Sequence, residues 1–311
     1  MSQSSRTTLK ELIEESKDGE WGKSDPFADS VEMSVVRGTD FERVRAGNLT
    51  TLPVRHITDS AADRKTLQAR DIVFESAGGT KNQPTGRTVY LNSETINRIG
   101  RPLSCASFSR FIRIDPAKAN PRFIFWLLQY MYEARIMYSY HTQHTGVARF
   151  QYTSFAENHE FHLPPRPTQE KIAAILTYYD NLIENYTRRI KLLEEIAERL
   201  YREWFVDFRF PGHESAHFVD SPEGKMPQNW ESKSLFDIAD VMSGGTPKTT
   251  SEEYWEGSIP FFTPKDAGGF AYATETEKSL SEQGLAASNS SQNPKGTEFI
   301  TPRRTVRKES E

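Results

Sequence analysis

The stretch from Thr168 to Phe208 reads TQEKIAAILTYYDNLIENYTRRIKLLEEIAERLYREWFVDF, and it contains no glycine or proline. Three prolines, Pro164, Pro165 and Pro167, precede it and end whatever structure comes before. Thr168 is suited to cap a helix because its hydroxyl can accept a hydrogen bond from the first turn. The pattern therefore predicts one continuous helix, which would be about 60 Å long at 1.5 Å per residue.

Apolar side chains recur along one side of this helix in a seven-residue pattern. Counted from Ile172, eight of the ten a and d positions are apolar when tyrosine is included. Such a seam is typical of coiled coils, and a single helix cannot bury it alone. We therefore expect a second helix, from this chain or another, to cover it. The candidate pairing residues are Ile172, Ile175, Tyr179, Leu182, Tyr186, Leu193, Ile196 and Leu200.

The sequence on either side of the helix repeats at a constant offset of 226 residues. Each matched stretch has the pattern of a short helix, a glycine turn and an apolar strand that ends in aspartate, which predicts two copies of one unit. Because Glu311 corresponds to Thr85, we expect the second copy to be incomplete. The matched positions are Leu9 with Leu235, Leu12 with Ile238, Gly19 with Gly245, Val35-Val36 with Phe261-Phe262, Asp40 with Asp266, and Val73-Phe74 with Phe299-Ile300.

Helices and strands are mixed without strict alternation, so the expected fold class is α+β. We expect a globular domain in residues 1–165, a long coiled-coil-type helix in 166–210, and an incomplete copy of the first domain in 211–311. This last segment should have an unpaired sheet edge and a poor core. In the first domain we expect helices near Thr8–Glu15 and Pro121–Tyr138, and strands near Met33–Val36, Ile72–Glu75, Thr88–Leu91 and Ser107–Ile114.

Composition excludes several classes of protein. The chain has 311 residues, a net charge of −4 and one cysteine, Cys105. One cysteine rules out an intramolecular disulfide framework and a cysteine-cluster zinc site, and Cys105 is expected to be a small buried residue. No apolar run approaches the roughly 20 residues that cross a bilayer. We therefore expect a cytoplasmic protein with no membrane contact.

No catalytic motif emerges from the sequence. The loop Gly79–Thr88 differs from a phosphate-binding P-loop in its spacing, and Arg87 stands where that motif requires lysine. His141 and His144 have no neighbouring carboxylate or cysteine, which favours a polar loop over a metal site. We therefore expect no catalytic residues and no bound metal.

Nucleic-acid recognition fits the residues better. Residues 70–155 hold 11 basic and 5 acidic side chains, a local charge of +6. Two glycine-containing loops, Gly78–Arg87 and His141–Arg149, carry side chains that contact base edges and phosphates. The alternative, that these loops are polar only because water surrounds them, remains open. The candidate DNA-binding residues are Lys81, Asn82, Gln83, Arg87, Gln143, His144 and Arg149.

A family resemblance rests on residues Leu163–Phe208. This stretch opens with Pro-Pro-x-x-x-Gln-x-x-Ile and closes with Trp-Phe-Val-Asp-Phe. With the motifs MPQNW (Met226–Trp230), SGGTPKTT (Ser243–Thr250) and YWEGSIPFFTPKD (Tyr254–Asp266), the sequence resembles the specificity subunit of type I restriction–modification systems.

The resemblance implies a non-catalytic subunit used in host defence, in which each of two target-recognition domains reads half of a split double-stranded DNA site. Two antiparallel spacer helices hold the domains apart. The subunit docks methyltransferase subunits, which use S-adenosylmethionine for DNA methylation, and indirectly the restriction translocase. The resemblance thus implies no cofactor on this chain, with S-adenosylmethionine, ATP and Mg on partner subunits.

A full family member would carry a second complete domain and a second helix, which leaves two alternatives for this sequence. Either two copies form a homodimer through their helices and read a palindromic split site, or the chain is a truncated remnant. Such a remnant would act only as a protein-interaction module, binding methyltransferase subunits without directing methylation.

Overall fold

The structure is a computed structural model that describes residues 5–79, 83–143, 147–222, 224–267 and 272–300. The chain forms two compact units, Met1–Phe210 and Pro211–Glu311. Helices and strands are interspersed in both units, which confirms the expected α+β class.

The first unit combines small sheets with helices. Its strands are β1 (Ser5–Thr8), β2 (Ile13–Asp18), β3 (Ser30–Val36), β4 (Val54–Thr58), β5 (Ile72–Glu75), β6 (Thr88–Tyr90), β7 (Leu103–Cys105), β8 (Ser109–Ile114), β9 (His141–Thr142), β10 (Arg149–Phe150) and β11 (Glu160–Leu163). Its α-helices are α1 (Leu9–Leu12), α2 (Phe41–Arg45), α3 (Asp59–Lys65), α4 (Ser93–Ile99), α5 (Pro121–Glu133), α6 (Tyr152–Asn158) and α7 (Arg166–Tyr201).

Two sheets form the centre of this unit. One has the order β2-β8-β5-β6 with antiparallel neighbours, and the other has the order β4-β3-β7, in which β3 and β7 are parallel. The apolar positions of the alternating stretch in β8 are buried, as that pattern predicts. Phe74 of β5 packs against the rings of Phe150 and Phe155 in the main core. This core fixes the end of β5 next to β10, where the candidate loops begin.

Two helices differ from their expected lengths. Thr8 and Glu11 form a reciprocal capping box around α1, but the helix ends at Leu12 and the chain continues as β2. Residues 13–15, which were expected to be helical, are in strand conformation because Ile13 and Glu15 pair with β8, and this pairing outweighs local helix preference. Helix α5 ends at Glu133, and Arg135 then adopts a left-handed conformation at φ 60° before a 3₁₀ turn, Ile136–Tyr140.

The long helix is present and slightly displaced. Helix α7 begins at Arg166, with Pro165 rather than Thr168 as its cap, and Thr168 lies inside the first turn, where its amide donates to the carbonyl oxygen of Pro165. Pro167 is also in the first turn, where the fixed φ of proline is favourable. After Tyr201 the chain continues as a π-helical turn, Arg202–Val206. Ala173 and Gln169 are the buried residues of α7, so most of the helix surface faces solvent.

Three residues on one side of α7, Thr177, Asp180 and Glu184, attach the helix to the globular part, and we call them the helix clamp. Asp180 pairs with Arg45 at 3.0 Å and with Arg122 at 3.6 Å. Thr177 Oγ1 accepts hydrogen bonds from Arg122 and Trp126. Because these contacts are charged or polar and partly buried, the helix has a defined direction relative to the sheets.

The second unit contains β12 (Phe218–Ser221), β13 (Gly224–Pro227), α8 (Leu235–Ile238), β14 (Trp255–Phe261), β15 (Lys278–Leu280) and α9 (Glu282–Ala286). The predicted repeat is confirmed in its first segment. Ser234 and Asp237 form a capping box around α8, and they lie at the offset of 226 from Thr8 and Glu11.

The repeat is also confirmed around its matched aspartates. Asp40 accepts a hydrogen bond from the Arg37 amide at 3.0 Å, and Asp266 accepts one from the Thr263 amide at 2.7 Å. The antiparallel pair β14–β15 followed by α9 matches the pair β3–β4 followed by α3. The match of Val73-Phe74 with Phe299-Ile300 is wrong in structure, because residues 299–300 are not in a strand.

The second unit has little core. Among its described residues, Leu280 is the buried hydrophobic side chain, whereas Leu235 and Ile238 of α8 are exposed. Their counterparts Leu9 and Leu12 are buried in the first unit. The expected poor core of this segment is therefore confirmed.

Cys105 is fully buried in β7, as expected, and burial raises the pKa of its thiol to about 12. Within the residues that the structure describes, no helix combines the length and the apolar character needed to cross a membrane. In the same residues, no group of three or more His, Cys, Asp or Glu side chains is arranged to hold a metal ion.

Candidate nucleic-acid interface

The two loops singled out in the sequence begin and end next to each other. The Gly78 amide donates to the carbonyl oxygen of Ala148 at 3.0 Å, and the Phe150 amide donates to that of Ser76 at 2.9 Å. Ala77 and Arg149 form an antiparallel bridge between these two bonds. Backbone pairing thus joins segments that are about seventy residues apart in sequence into one surface.

A second set of hydrogen bonds joins the far sides of the loops. The Thr85 amide donates to Nδ1 of His141 at 3.2 Å, and the Thr85 hydroxyl lies 3.0 Å from the same nitrogen. Because an amide can only donate, Nδ1 is the acceptor and the ring proton of neutral His141 is on Nε2. His141 therefore orients the first loop.

Tyr132 of α5 supports the same loop from the interior. Its hydroxyl donates to the carbonyl oxygen of Pro84 at 3.0 Å. Burial raises the pKa of Tyr132 to about 12, so the hydroxyl keeps its proton and remains a donor at neutral pH. The ends of both loops are thus attached to the core. A recognition surface requires such rigid support for its side chains.

Three of the candidate DNA-binding side chains, Gln83, Gln143 and Arg149, are exposed at this surface. Gln143 and Arg149 flank the tip of the second loop, next to or within the β9–β10 pair. Lys81, Asn82 and His144 lie outside the described residues.

Arg87 differs from the expectation that it reaches outward from the loop. Its Nε and Nη2 donate to the carboxylate of Glu75 at 2.9 Å and 2.5 Å, and the two side chains are only 13% and 3% exposed. The hydrogen bond to Glu75 raises the pKa of Arg87. Arg87 therefore neutralises a buried carboxylate beneath the loops, and the geometry assigns it to their support rather than to their surface.

An aromatic residue that the sequence did not single out also borders the loops. Phe108 lies in the turn between β7 and β8, and its carbonyl oxygen accepts hydrogen bonds from the amides of Ser76 and Ala77. Its side chain is 55% exposed. The sequence signal was weak, because Phe108 falls within an alternating apolar stretch that predicts a strand and not a surface.

A second exposed surface runs along α7. All eight predicted pairing residues are between 36% and 65% exposed. The residues that follow the d positions of the heptad are also exposed and apolar, namely Leu176, Ile183 and Ile190. The apolar face therefore includes the a, d and e positions. We call the eight pairing residues with these three the apolar stripe. It lies outside the buried core of its own unit and is available to another polypeptide.

A model of the type I restriction modification DNA specificity domain matches residues 5–195. Among curated proteins, the MjaIX specificity subunit of Methanocaldococcus jannaschii is 33% identical over 140 residues, covering 44% of this chain and 32% of the relative. The HindI specificity subunit of Haemophilus influenzae is 24% identical over 177 residues, covering 39% of each protein. The chain thus spans between 32% and 39% of the length of these relatives.

Two solved structures show a partial likeness to this chain. The S subunit of a type I restriction–modification system from M. genitalium has a TM-score of 0.49 at 14% identity, over 89% of this chain and 62% of the other. The HsdS subunit of Thermoanaerobacter tengcongensis has a TM-score of 0.39 at 14% identity, over 87% and 63%. The family match covers the whole region that holds both loops and nearly all of α7, so the chain belongs to the type I restriction modification DNA specificity domain family.

Proposed function

We propose that this chain is a non-catalytic DNA-recognition subunit of a type I restriction–modification complex, which reads one half of a split double-stranded target. The observation that carries the proposal is the joining of two polar loops, Gly78–Arg87 and His141–Arg149, into one surface supported by the core. Exposed Gln143 and Arg149 supply a base-edge donor and acceptor and a phosphate-binding charge on that surface. Membership of the DNA specificity domain family supports the same function.

The proposed roles are assigned to successive segments of the chain. In this proposal residues 1–165 form the reading domain, residues 166–210 the spacer helix, and residues 211–311 part of a second reading domain. The matching capping boxes of α1 and α8 support a common origin of the two reading domains.

The apolar stripe is the proposed docking surface for methyltransferase subunits and for the spacer helix of a second copy. Exposing an apolar face of this length to water is unfavourable. Fully burying one of its large side chains in an interface contributes about 1.5–3 kcal/mol to the free energy of association. S-adenosylmethionine, ATP and Mg belong to the partner subunits in this proposal, and the restriction translocase joins through the methyltransferase.

The stripe also favours a second candidate, a protein-interaction module that binds methyltransferase subunits without directing methylation. The stripe and the loops are made of different residues, so the two functions are separable by experiment.

The test uses the full chain mixed with the cognate methyltransferase subunit and a randomised duplex library. We expect the mixture to enrich one short sequence, and the affinity for it to fall steeply as salt rises because phosphate contacts release counterions. Adenine methylation mapped in the enriched duplex should then coincide with that sequence. Formation of a stable complex that enriches nothing would support the interaction module instead, and absence of any complex would contradict both.

A further inference from the structure

Phe108 is exposed in a short turn whose flanking strand residues are fully buried. Cys105 and Ser109 have no exposed surface, whereas the Phe108 side chain is 55% exposed. Its exposure is therefore local, and follows from the turn that carries it. Single exposed apolar residues are common in proteins, so exposure alone assigns no role to this ring.

The turn that carries Phe108 is attached to the sheets on three sides. The Phe108 carbonyl oxygen accepts hydrogen bonds from the amides of Ser76 and Ala77 at 2.9 Å and 3.1 Å, and the Ala106 amide donates to the carbonyl oxygen of Val36 in β3 at 2.9 Å. The Gly19 amide donates to the Ser109 carbonyl at 2.9 Å. These bonds use only backbone atoms, so they fix the Cα of Phe108 without requiring a phenyl ring there.

The ring borders the junction of the two loops. A Cβ atom added to Gly78 would lie 4.0 Å from Cδ2 of Phe108, and Gly78 itself bonds Ala148 of the second loop. Val147, next in sequence to Ala148, is also exposed. An apolar point thus lies beside the place where the two polar loops join.

We propose that Phe108 is the apolar base-contacting residue of this interface, which packs on the bases of bound duplex DNA while the polar loops hold the backbone and base edges. The inference rests on the proposed DNA-recognition function. Rigid apolar side chains contact the methyl group of thymine or insert between base steps, and both contacts are specific to bases. Because the backbone at Phe108 is already fixed, ordering this contact on binding costs little backbone entropy.

The test compares the full chain carrying Phe108→Ala, Phe108→Leu or Tyr130→Ala, each with the methyltransferase subunit, on the duplex that the wild type enriches from the randomised library. Tyr130 is the matched control, because it is exposed on α5 two residues from Tyr132 and so faces away from the loop that Tyr132 contacts. We expect Phe108→Ala to weaken binding roughly tenfold or more, Phe108→Leu to weaken it less, and Tyr130→Ala to have no effect. The slope of log affinity against log salt should stay unchanged, since no phosphate contact is lost.

Two modified duplexes distinguish the two base contacts. If the ring contacts a thymine methyl group, replacing thymine by uracil should weaken the wild type and leave Phe108→Ala unaffected. If it inserts between bases, 2-aminopurine at the contacted step should brighten on binding the wild type and not the alanine variant.

Equal affinity of Phe108→Ala and wild type, with Arg149→Ala weakened, would overturn the inference and leave the proposed function intact. The inference would also be overturned if Phe108→Ala lost affinity and melted at a lower temperature while Phe108→Leu kept full affinity and normal melting. The ring would then contribute to folding only. Failure of the wild type to enrich any duplex would overturn both the inference and the proposed function.

Discussion

Arg87 and Glu75 form a two-pronged ion pair in which Nε and Nη2 of the guanidinium each donate to a different carboxylate oxygen, at 2.9 Å and 2.5 Å. The pair is almost completely shielded from water, and it lies where β5 leads into the first loop. Removing one partner would leave the other charge buried without compensation, which costs more free energy than the pair itself contributes.

We therefore expect Arg87→Ala to lower the free energy of unfolding of the first unit by about 3 kcal/mol. Thermal and denaturant unfolding followed by circular dichroism would measure the change. The matched control is the double variant Glu75→Leu with Arg87→Met, which removes both charges and keeps similar volume, and it should recover most of the stability. If Arg87→Ala is as stable as the wild type but binds DNA more weakly, Arg87 belongs to the binding surface instead.

Arg149 and Gln143 should separate two kinds of DNA contact. We expect Arg149→Ala to weaken binding to every duplex and to reduce the magnitude of the salt slope by about 1, because one phosphate contact is lost. Gln143→Ala should weaken binding to the enriched sequence alone, with an unchanged slope. Fluorescence anisotropy over a salt series on enriched and scrambled duplexes measures both, and both variants should melt like the wild type because the side chains are exposed.

The local patterns predicted most of the elements that surround this site. Alternation in Ser107–Ile114 predicted the strand that the structure shows as β8, and the heptad pattern predicted α7, because each depends on side chains close in sequence. The helix expected to run to Glu15 was too long, since pairing with β8 decides the conformation of residues 13–15 and that strand lies far away in sequence.

The site itself was only partly predictable for the same physical reason. Composition marked both loops as polar, but their union depends on the bonds from Gly78 to Ala148 and from Thr85 to His141, which no local pattern encodes. A basic residue in a polar loop is as consistent with a surface contact as with a buried partner. Only the fold shows that Arg87 has Glu75 beneath it.

The apolar stripe gives a prediction about association. We expect Leu193→Asp with Leu200→Asp to abolish self-association and methyltransferase binding, because a charge buried in either interface would be unpaired. Both side chains are exposed in the chain described here, so its folding should be unaffected. Light scattering and co-purification measure the two kinds of association.

Lys191→Asp is the control for this experiment, because Lys191 is an exposed residue at heptad position f, outside the stripe. Unchanged association of the Leu193→Asp, Leu200→Asp variant would contradict the assignment of the stripe as an interface.

His159 predicts a pH dependence of stability. Burial lowers the pKa of its imidazole below the ordinary value of 6.5, and the ring stacks on Phe155 with a centroid distance of 5.4 Å. Below about pH 6.5 the unfolded chain binds a proton that the folded chain resists, so stability should fall as pH drops from there through the lowered pKa. Well above pH 6.5 His159 is neutral in both states and contributes no slope.

The variant His159→Phe should retain the stacking and lack this slope. As the pH falls from 7.5 to 5, we therefore expect the melting temperature of the wild type to fall more than that of the variant. A constant difference across that range would show that His159 titrates normally.

The helix clamp makes the free part of α7 a lever. From Arg188 to Tyr201 every side chain is exposed, and with the following turn this part extends roughly 27 Å beyond its last partner on the globular part. A tilt of only about 5° at Asp180 would move the tip by roughly 3 Å. Small adjustments of Arg45 and Arg122 against Asp180 are thus magnified at the distal end of α7.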